Sequence, residues 1–224
     1  MAEGVLQRRE PVLETGSFAV LGPHGVLVVD TLLDPPQARA AREELEALTH
    51  LPVVGLVLTH AHWDHCFGAV VYEDVPVWAH HRLPEHLGRV EAAELAAGRP
   101  AQEVEVDWSR AALPRPTHLV SGTTTIAPGG RPVQLEAWAP AHTTCDLSVH
   151  VPGVWLVGDL VEESGPPSVE EDSDLAGWAV ALEALCARLG PEDLVVPGHG
   201  SPVGRDFVAA QAALLRRDAD APGP

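Results

Sequence analysis

Basic residues are scarce in this chain: 14 Lys and Arg stand against 32 Asp and Glu, for a formal net charge of −18. Nucleic-acid binding relies on clustered cationic side chains that displace counterions from phosphates, so nucleic acid is excluded as the expected partner. Cysteine is scarce as well. Cys66, Cys145 and Cys186 are odd in number and widely spaced, which implies no disulfide framework and suits a reducing compartment. No unbroken apolar run reaches the roughly 18 residues of a membrane helix, and Met1 to Pro11 lacks the apolar segment of a signal peptide. No tandem repeat or low-complexity tract is present. The expectation is a cytoplasmic protein acting on a small molecule, with neither membrane nor nucleic acid as partner. With 224 residues and 46% hydrophobic composition, one domain over residues 1–224 is expected, with 218–224 as a frayed tail.

The apolar runs are short and end in turns. Strands are predicted over 16–21 and 25–29, separated by Gly22-Pro23-His24-Gly25. Asp34 followed by Pro35 and Pro36 is the signature of a helix start, and Ala38, Ala41, Leu45 and Leu48 give one apolar face as far as Thr49. A strand over 53–58 follows, then a helical stretch over 66–71, a strand over 75–79, and a helix over 81–97 closed by Gly98. Residues 99–116 read as a crossing loop. Five strands are predicted at 117–120, 123–126, 133–137, 147–151 and 154–157. A helix capped by Asp172 or Ser173 carries Leu175, Trp178, Leu182, Leu185 and Leu189, ending at Gly190-Pro191. The strand 194–196 and a helix over 205–217 with Phe207, Ala210 and Leu214 inward complete the chain. Gly25-Val26-Leu27-Val28-Val29-Asp30 is echoed by Gly153-Val154-Trp155-Leu156-Val157-Gly158-Asp159. Two such halves packed face to face predict an α/β fold: a four-layer αββα sandwich of two mixed β-sheets flanked by helices.

The chemistry concentrates in Thr59-His60-Ala61-His62-Trp63-Asp64-His65. At the end of a strand, His60 and His62 project to the same side and can converge on one cation. Asp64 and His65 are adjacent and point apart, so they can serve a second cation. Imidazole with carboxylate suits zinc, with iron or manganese less favoured. Four apolar strands end in a polar candidate: Asp30, His60, Asp159 and His199. A fifth, His142, sits in a turn. One His or Asp at a strand end is more often a cap or a hydrogen-bond partner; five of them in register argue for one shared edge.

Followed in order across residues 30–199, these positions resemble the metallo-β-lactamase superfamily of metallohydrolases. The motifs are Asp30, His60-Ala61-His62-Trp63-Asp64-His65, His142, Gly158-Asp159-Leu160 and Pro197-Gly198-His199-Gly200. The resemblance implies that His60, His62 and His142 hold one metal, that Asp64, His65 and His199 hold the other, and that Asp159 bridges both. Asp30 would orient ligands by hydrogen bonding. Two zinc ions about 3.5–4 Å apart would share a hydroxide nucleophile, with Asp159 and Asp64 as the catalytic carboxylates and Asp64 handling a proton.

The implied function is a binuclear zinc hydrolase of a small ester, lactone, thioester or amide. Two alternatives stand beside it: a mononuclear iron oxidoreductase of the persulfide-dioxygenase kind, using the two motif histidines, His142 and Asp159 alone, and a β-lactamase-like activity. Only 25 residues follow His199, short of the helical domain of glyoxalase-II-type thioesterases, and the lone tyrosine, Tyr72, is far from Asp159 in sequence, unlike the tyrosine of the lactonases. Cys66 and Cys145 flank the motifs and read as small buried hydrophobes, and Cys186 as core. Trp63, Trp155 and Trp178 read as packing residues. Residues 160–172 are the candidate pocket rim. His24, His50, His80, His81, His86, His118 and His150 fall outside the motif set and read as surface or capping residues.

Overall fold

The computed structural model describes residues 3–92 and 111–221. Eleven strands form two sheets among them. The first contains β1 (Val5–Arg9), β2 (Gly16–Leu21), β3 (Val26–Val29), β4 (Val53–Val57), β5 (Val77–His80) and β6 (His118–Val120), in that order. The second contains β7 (Thr123–Ile126), β8 (Val133–Trp138), β9 (Asp146–Val151), β10 (Val154–Gly158) and β11 (Leu194–Pro197), also in sequence order. Both sheets are mixed. In the first, β1 to β3 are antiparallel and β3 to β6 parallel. In the second, only the β10–β11 pair is parallel.

Three apolar layers account for the architecture. Phe18, Leu27, Val29, Val57, Leu135, Val149, Leu156 and Val196 meet between the sheets. Val28, Ala38, Leu56, Leu58, Phe67 and Tyr72 fill the outer face of the first sheet beneath α1 (Pro35–Thr49). Trp155, Val157, Trp178, Leu182, Val195, Val208 and Leu215 fill the outer face of the second, beneath α4 (Leu175–Arg188) and α5 (Arg205–Ala219). Strand residues alternate between the two faces, Val28 outward and Val29 inward, as the period of two requires. The result is the predicted four-layer αββα sandwich.

The start of α1 follows its sequence signature. Asp34 Oδ1 accepts the Gln37 N–H at 2.8 Å, Pro35 and Pro36 preset the first turn, and His50 closes the helix at φ 56° with its N–H on Glu46 O. An Asp34→Ala variant should lose about 1 kcal/mol of stability and roughly 2–4 °C of melting temperature, measurable by calorimetry.

Several sequence expectations need correction. Strand β1 was not anticipated, because Gln7, Arg8 and Arg9 interrupt any apolar pattern. Leu48 is exposed rather than inward. The segment expected to be helical over 66–71 is α2 (Trp63–Cys66) followed by a 3₁₀ turn (Ala69–Tyr72). The helix expected from residue 81 begins as α3 (Leu83–His86) and widens into a π turn (Leu87–Glu91); its remainder, Gly98 and most of the 99–116 loop lie outside the described residues. Asp174, not Asp172 or Ser173, caps α4, its Oδ1 accepting the Gly177 N–H. Helix α5 turns Val208, Gln211, Ala212 and Leu215 inward, one residue on from the expected face, and reaches Ala219, inside the stretch read as tail. Cys186 is only partly covered. His80 and His86 are buried rather than on the surface. Among the described residues, no helix is long and apolar enough to cross a membrane.

Candidate metal centre

Parallel pairing explains why distant motifs meet. β3 runs parallel to β4, and β10 runs parallel to β11, so Asp30, His60, Asp159 and His199 emerge together at strand carboxyl ends. The Leu147 N–H, at the head of β9, donates to Thr59 O at 2.7 Å and joins the two sheets there. Two groups of side chains result: His60, His62, His142 and Asp159 in one, Asp64, His65 and His199 in the other, with the facing atoms of each group within 4.8 Å of one another. Asp159 touches both groups. Its Oδ2 lies 3.7 Å from His60 Nε2, 3.8 Å from His142 Nε2 and 3.5 Å from His199 Nε2, while Oδ1 lies 3.4 Å from His65 Nε2.

Glycine makes the approach possible. A Cβ on Gly198 would collide with Asp159 Oδ1 and sit 2.7 Å from His65 Cε1, and one on Gly158 would meet Thr59 Oγ1 at 2.6 Å. Gly158 also holds φ 55°, a left-handed conformation that costs glycine little. Asp30 holds φ 61° without that freedom. Its carboxylate repays the strain, since Oδ1 accepts the Thr59 N–H at 2.8 Å and Oδ2 accepts the Thr59 hydroxyl at 2.7 Å and lies 2.9 Å from His65 Nδ1.

The outer nitrogens reveal how the inner ones are oriented. His199 Nδ1 lies 2.7 Å from the Leu13 carbonyl, which only accepts, so Nδ1 carries hydrogen. His65 Nδ1 donates to Asp30 in the same way. Both Nε2 atoms therefore present lone pairs in the neutral rings, yet they face each other at 3.2 Å. His142 Nε2 and His62 Nδ1 face each other at 3.1 Å. Nitrogen lone pairs cannot sit so close without a proton or a cation between them. His60 Nε2 and Asp159 Oδ1, both buried, also lack a hydrogen-bond partner. This donor set, imidazole nitrogen with carboxylate oxygen around two centres, fits a pair of divalent cations.

Electrostatics divides the ligands. Burial disfavours the His65 imidazolium, but Asp159 and Asp64 outweigh it and raise the His65 pKa well above 6.5. Against the same burial penalty, Asp159 and Asp64 push His199 up to about 12. His62 is raised to about 9, burial being overcome by Asp172 and Asp64. Burial lowers His142 to about 3 and His60 well below 6.5, helped by neighbouring imidazoles. Asp64 is held far below the carboxylate range by His65 and His199 despite its burial.

A family model described as the metallo-beta-lactamase superfamily matches residues 13–199. The chain belongs to the metallo-β-lactamase superfamily. It is 24% identical over 196 residues to a metallo-beta-lactamase type 2 of Bacillus cereus, spanning 86% of this chain and 69% of that one. It is 33% identical over 125 residues to the 2,4-dinitroanisole O-demethylase subunit alpha of Nocardioides sp. (strain JS1661), spanning 51% of this chain and 38% of that subunit. In structure it resembles the FIM-1 metallo-beta-lactamase of Pseudomonas aeruginosa in its mono-zinc form, with TM-score 0.78, 20% identity, and 99% and 95% of the two chains covered. Superfamily members are usually metal-dependent hydrolases.

In this superfamily member the centre opens into a cleft of about 980 Å³. Glu162, Ser164, Ser168, Glu170, Glu171 and Asp172 line it, so the 160–172 segment forms part of the rim, and Trp63 lines it as well. Burial and then the charge of Asp159 raise Glu162 to about 8. Trp155 and Trp178 are core. Cys66 and Cys145 are buried thiols whose pKa values burial raises, and Cys66 Sγ donates to Ala61 O. The sequence reading missed Thr59, whose hydroxyl lies 3.0 Å from His60 Nδ1, and Leu13, which contributes only a carbonyl. A threonine immediately before the motif was a signal that could have been read; a backbone oxygen has none. His86, expected as a surface or capping residue, is buried against the cleft.

Proposed function

We propose that the chain is a binuclear metal-dependent hydrolase, with zinc as its metal, that cleaves a small ester, lactone, thioester or amide. The observation that carries this reading is the pair of facing imidazole contacts with Asp159 between them, an arrangement that two cations would satisfy, one at each contact. In it, His60, His62, His142 and Asp159 hold one cation, and Asp64, His65, His199 and Asp159 the other. Bound cations supply Lewis acidity and a water acidic enough to be deprotonated near neutral pH. The protein holds the lone pairs in place: Thr59 and Asp30 orient His60 and His65, and Leu13 orients His199. Asp64, 3.1 Å from His199 Nε2, is assigned to handle a proton by its position and not by its basicity, since His65 and His199 hold its pKa far below the carboxylate range.

The cleft supports a small substrate and disfavours a polyanion, since Glu91, Glu170, Glu171 and Asp172 are among its walls. Tyr72, the lone tyrosine, is buried in the outer layer beneath Arg42, so no phenol aids the carbonyl. The iron-oxidoreductase alternative leaves Asp64, His65 and His199 unused, although Asp30, Thr15 and Leu13 all support that group. The β-lactamase alternative rests on the Bacillus cereus and FIM-1 similarities and is one arm of the test. A hydrolase substrate panel, β-lactams included, should be run beside metal quantification. The expected result is about two equivalents of zinc and turnover that chelation removes and zinc restores. Iron in the fresh protein with oxygen uptake on glutathione persulfide would overturn it.

A further inference from the structure

Three of the site histidines have a partner on the nitrogen that faces away from the centre, whereas His142 Nδ1 is buried without one. His60 Nδ1 meets Thr59, His65 Nδ1 meets Asp30, and His199 Nδ1 meets the Leu13 carbonyl. His62 uses the opposite edge: its Nδ1 faces His142, so its Nε2 points outward. The carboxylate on that side is Asp172, whose Oδ2 lies 3.9 Å from His62 Nε2. This oxygen is buried, has no hydrogen-bond partner, and stands 3.6 Å from His86 Nε2 as well. His86 is itself fixed, with Nδ1 3.1 Å from Thr144 Oγ1 and Nε2 3.8 Å from the buried Glu91 Oε1.

The segment carrying Asp172 is also tied down. Ser173 Oγ donates to His142 O at 2.7 Å, and the Asp174 N–H donates to Ala141 O at 2.9 Å. Asp172 is thus stapled to the loop that bears His142 while its carboxylate reaches across to His62. None of this belongs to the motif set, and Asp172 stands more than 100 residues from His62 in sequence.

We propose that Asp172, braced by His86 and Glu91, is the positioning residue for His62: it fixes the ring with Nδ1 toward the first metal position and ties the cleft rim to that metal. The inference rests on the binuclear reading above. A ligand imidazole whose outer N–H meets a carboxylate is held in one tautomer and orientation and is a stronger donor, and loss of such partners weakens metal affinity by about 10–100-fold.

The test is zinc competition against a chromophoric chelator, with cobalt(II) absorption spectra of the substituted protein as a second readout. For Asp172→Asn, one of two metal equivalents should bind about 10–100-fold more weakly, with a changed cobalt spectrum and the other equivalent unaffected. Asp172→Glu should restore part of the affinity, and His86→Gln should shift the same equivalent less. His86→Gln also keeps the test alive should Asp172→Asn fail to fold. Unchanged affinity for both equivalents in folded Asp172→Asn, or in folded His86→Gln where only that variant folds, overturns the proposal. Parent protein that binds fewer than two equivalents sinks the binuclear reading instead, so the two failures are distinguishable.

Discussion

Asp159→Asn should leave the sandwich folded, reduce bound metal from about two equivalents to one or fewer, and lower turnover by about a thousandfold or more. The magnitude follows from the several kcal/mol that metal-centred charge stabilisation supplies, at about 1.4 kcal/mol per factor of ten. Asn matches Asp in shape, so the packing against Gly198 and the turn at Gly158 are preserved. What changes is chemistry. Asp159 presents two anionic oxygens to four imidazole nitrogens at 3.4–3.8 Å. An amide supplies one neutral acceptor, and its NH₂ points toward whatever cation or lone pair faced the other oxygen. Asp64→Ala should remove only the second metal, because the ion pairs of Asp64 among the described residues are with His65 and His199. Metal analysis with kcat on the best substrate checks both variants. Asp159→Asn protein with two tightly bound metals and a rate within tenfold of the parent would remove the bridging role.

What could be read in the sequence was what repeats or alternates. Asp30, His60, Asp159 and His199 were legible because each follows a short apolar strand, and the parallel pairs β3–β4 and β10–β11 then force those strand ends to one edge. The α1 start was legible because capping is local, decided by Asp34 and the two prolines after it. The inward face of α5 was not, because Ala209, Ala210, Ala212 and Ala213 give nearly the same pattern in adjacent registers, and contact with α4 decides between them. The His86–Asp172 contact had no signature either. His86 sits in a short helix that opens into a π turn, Asp172 in the approach to α4, and only the folded cleft brings them to 3.6 Å. Long-range pairs of single residues leave no period to detect.

Metal loading should release protons and strengthen steeply with pH. In the metal-free protein, His62, His65 and His199 have raised pKa values, with His62 at about 9 and His199 at about 12. Near pH 7 His62 is cationic and the His65–His199 pair shares one proton, because both Nδ1 atoms already carry hydrogen and the 3.2 Å gap between the Nε2 atoms holds only one; these protons fill the gaps that metals would fill. A ligand imidazole must be neutral, so binding expels about two protons, one from each facing pair. Each proton costs about a factor of ten in metal affinity per pH unit below the pKa it leaves. His60 and His142, lowered by burial, contribute none. The stability of the metal-free fold runs the other way. A raised histidine pKa stabilises the folded state fully below about pH 6.5, and that contribution is lost as pH climbs through the folded values, first near 9 for His62 and later for His199. The metal-induced rise in melting temperature should therefore grow from pH 6 to pH 9, because fewer protons then compete with the metal for the folded site. Calorimetric titration with zinc in buffers of different protonation enthalpy measures the count. Release of fewer than one proton at pH 7 would mean that the two groups are neutral before the metals arrive, and that the facing imidazoles are held apart by something other than the proton.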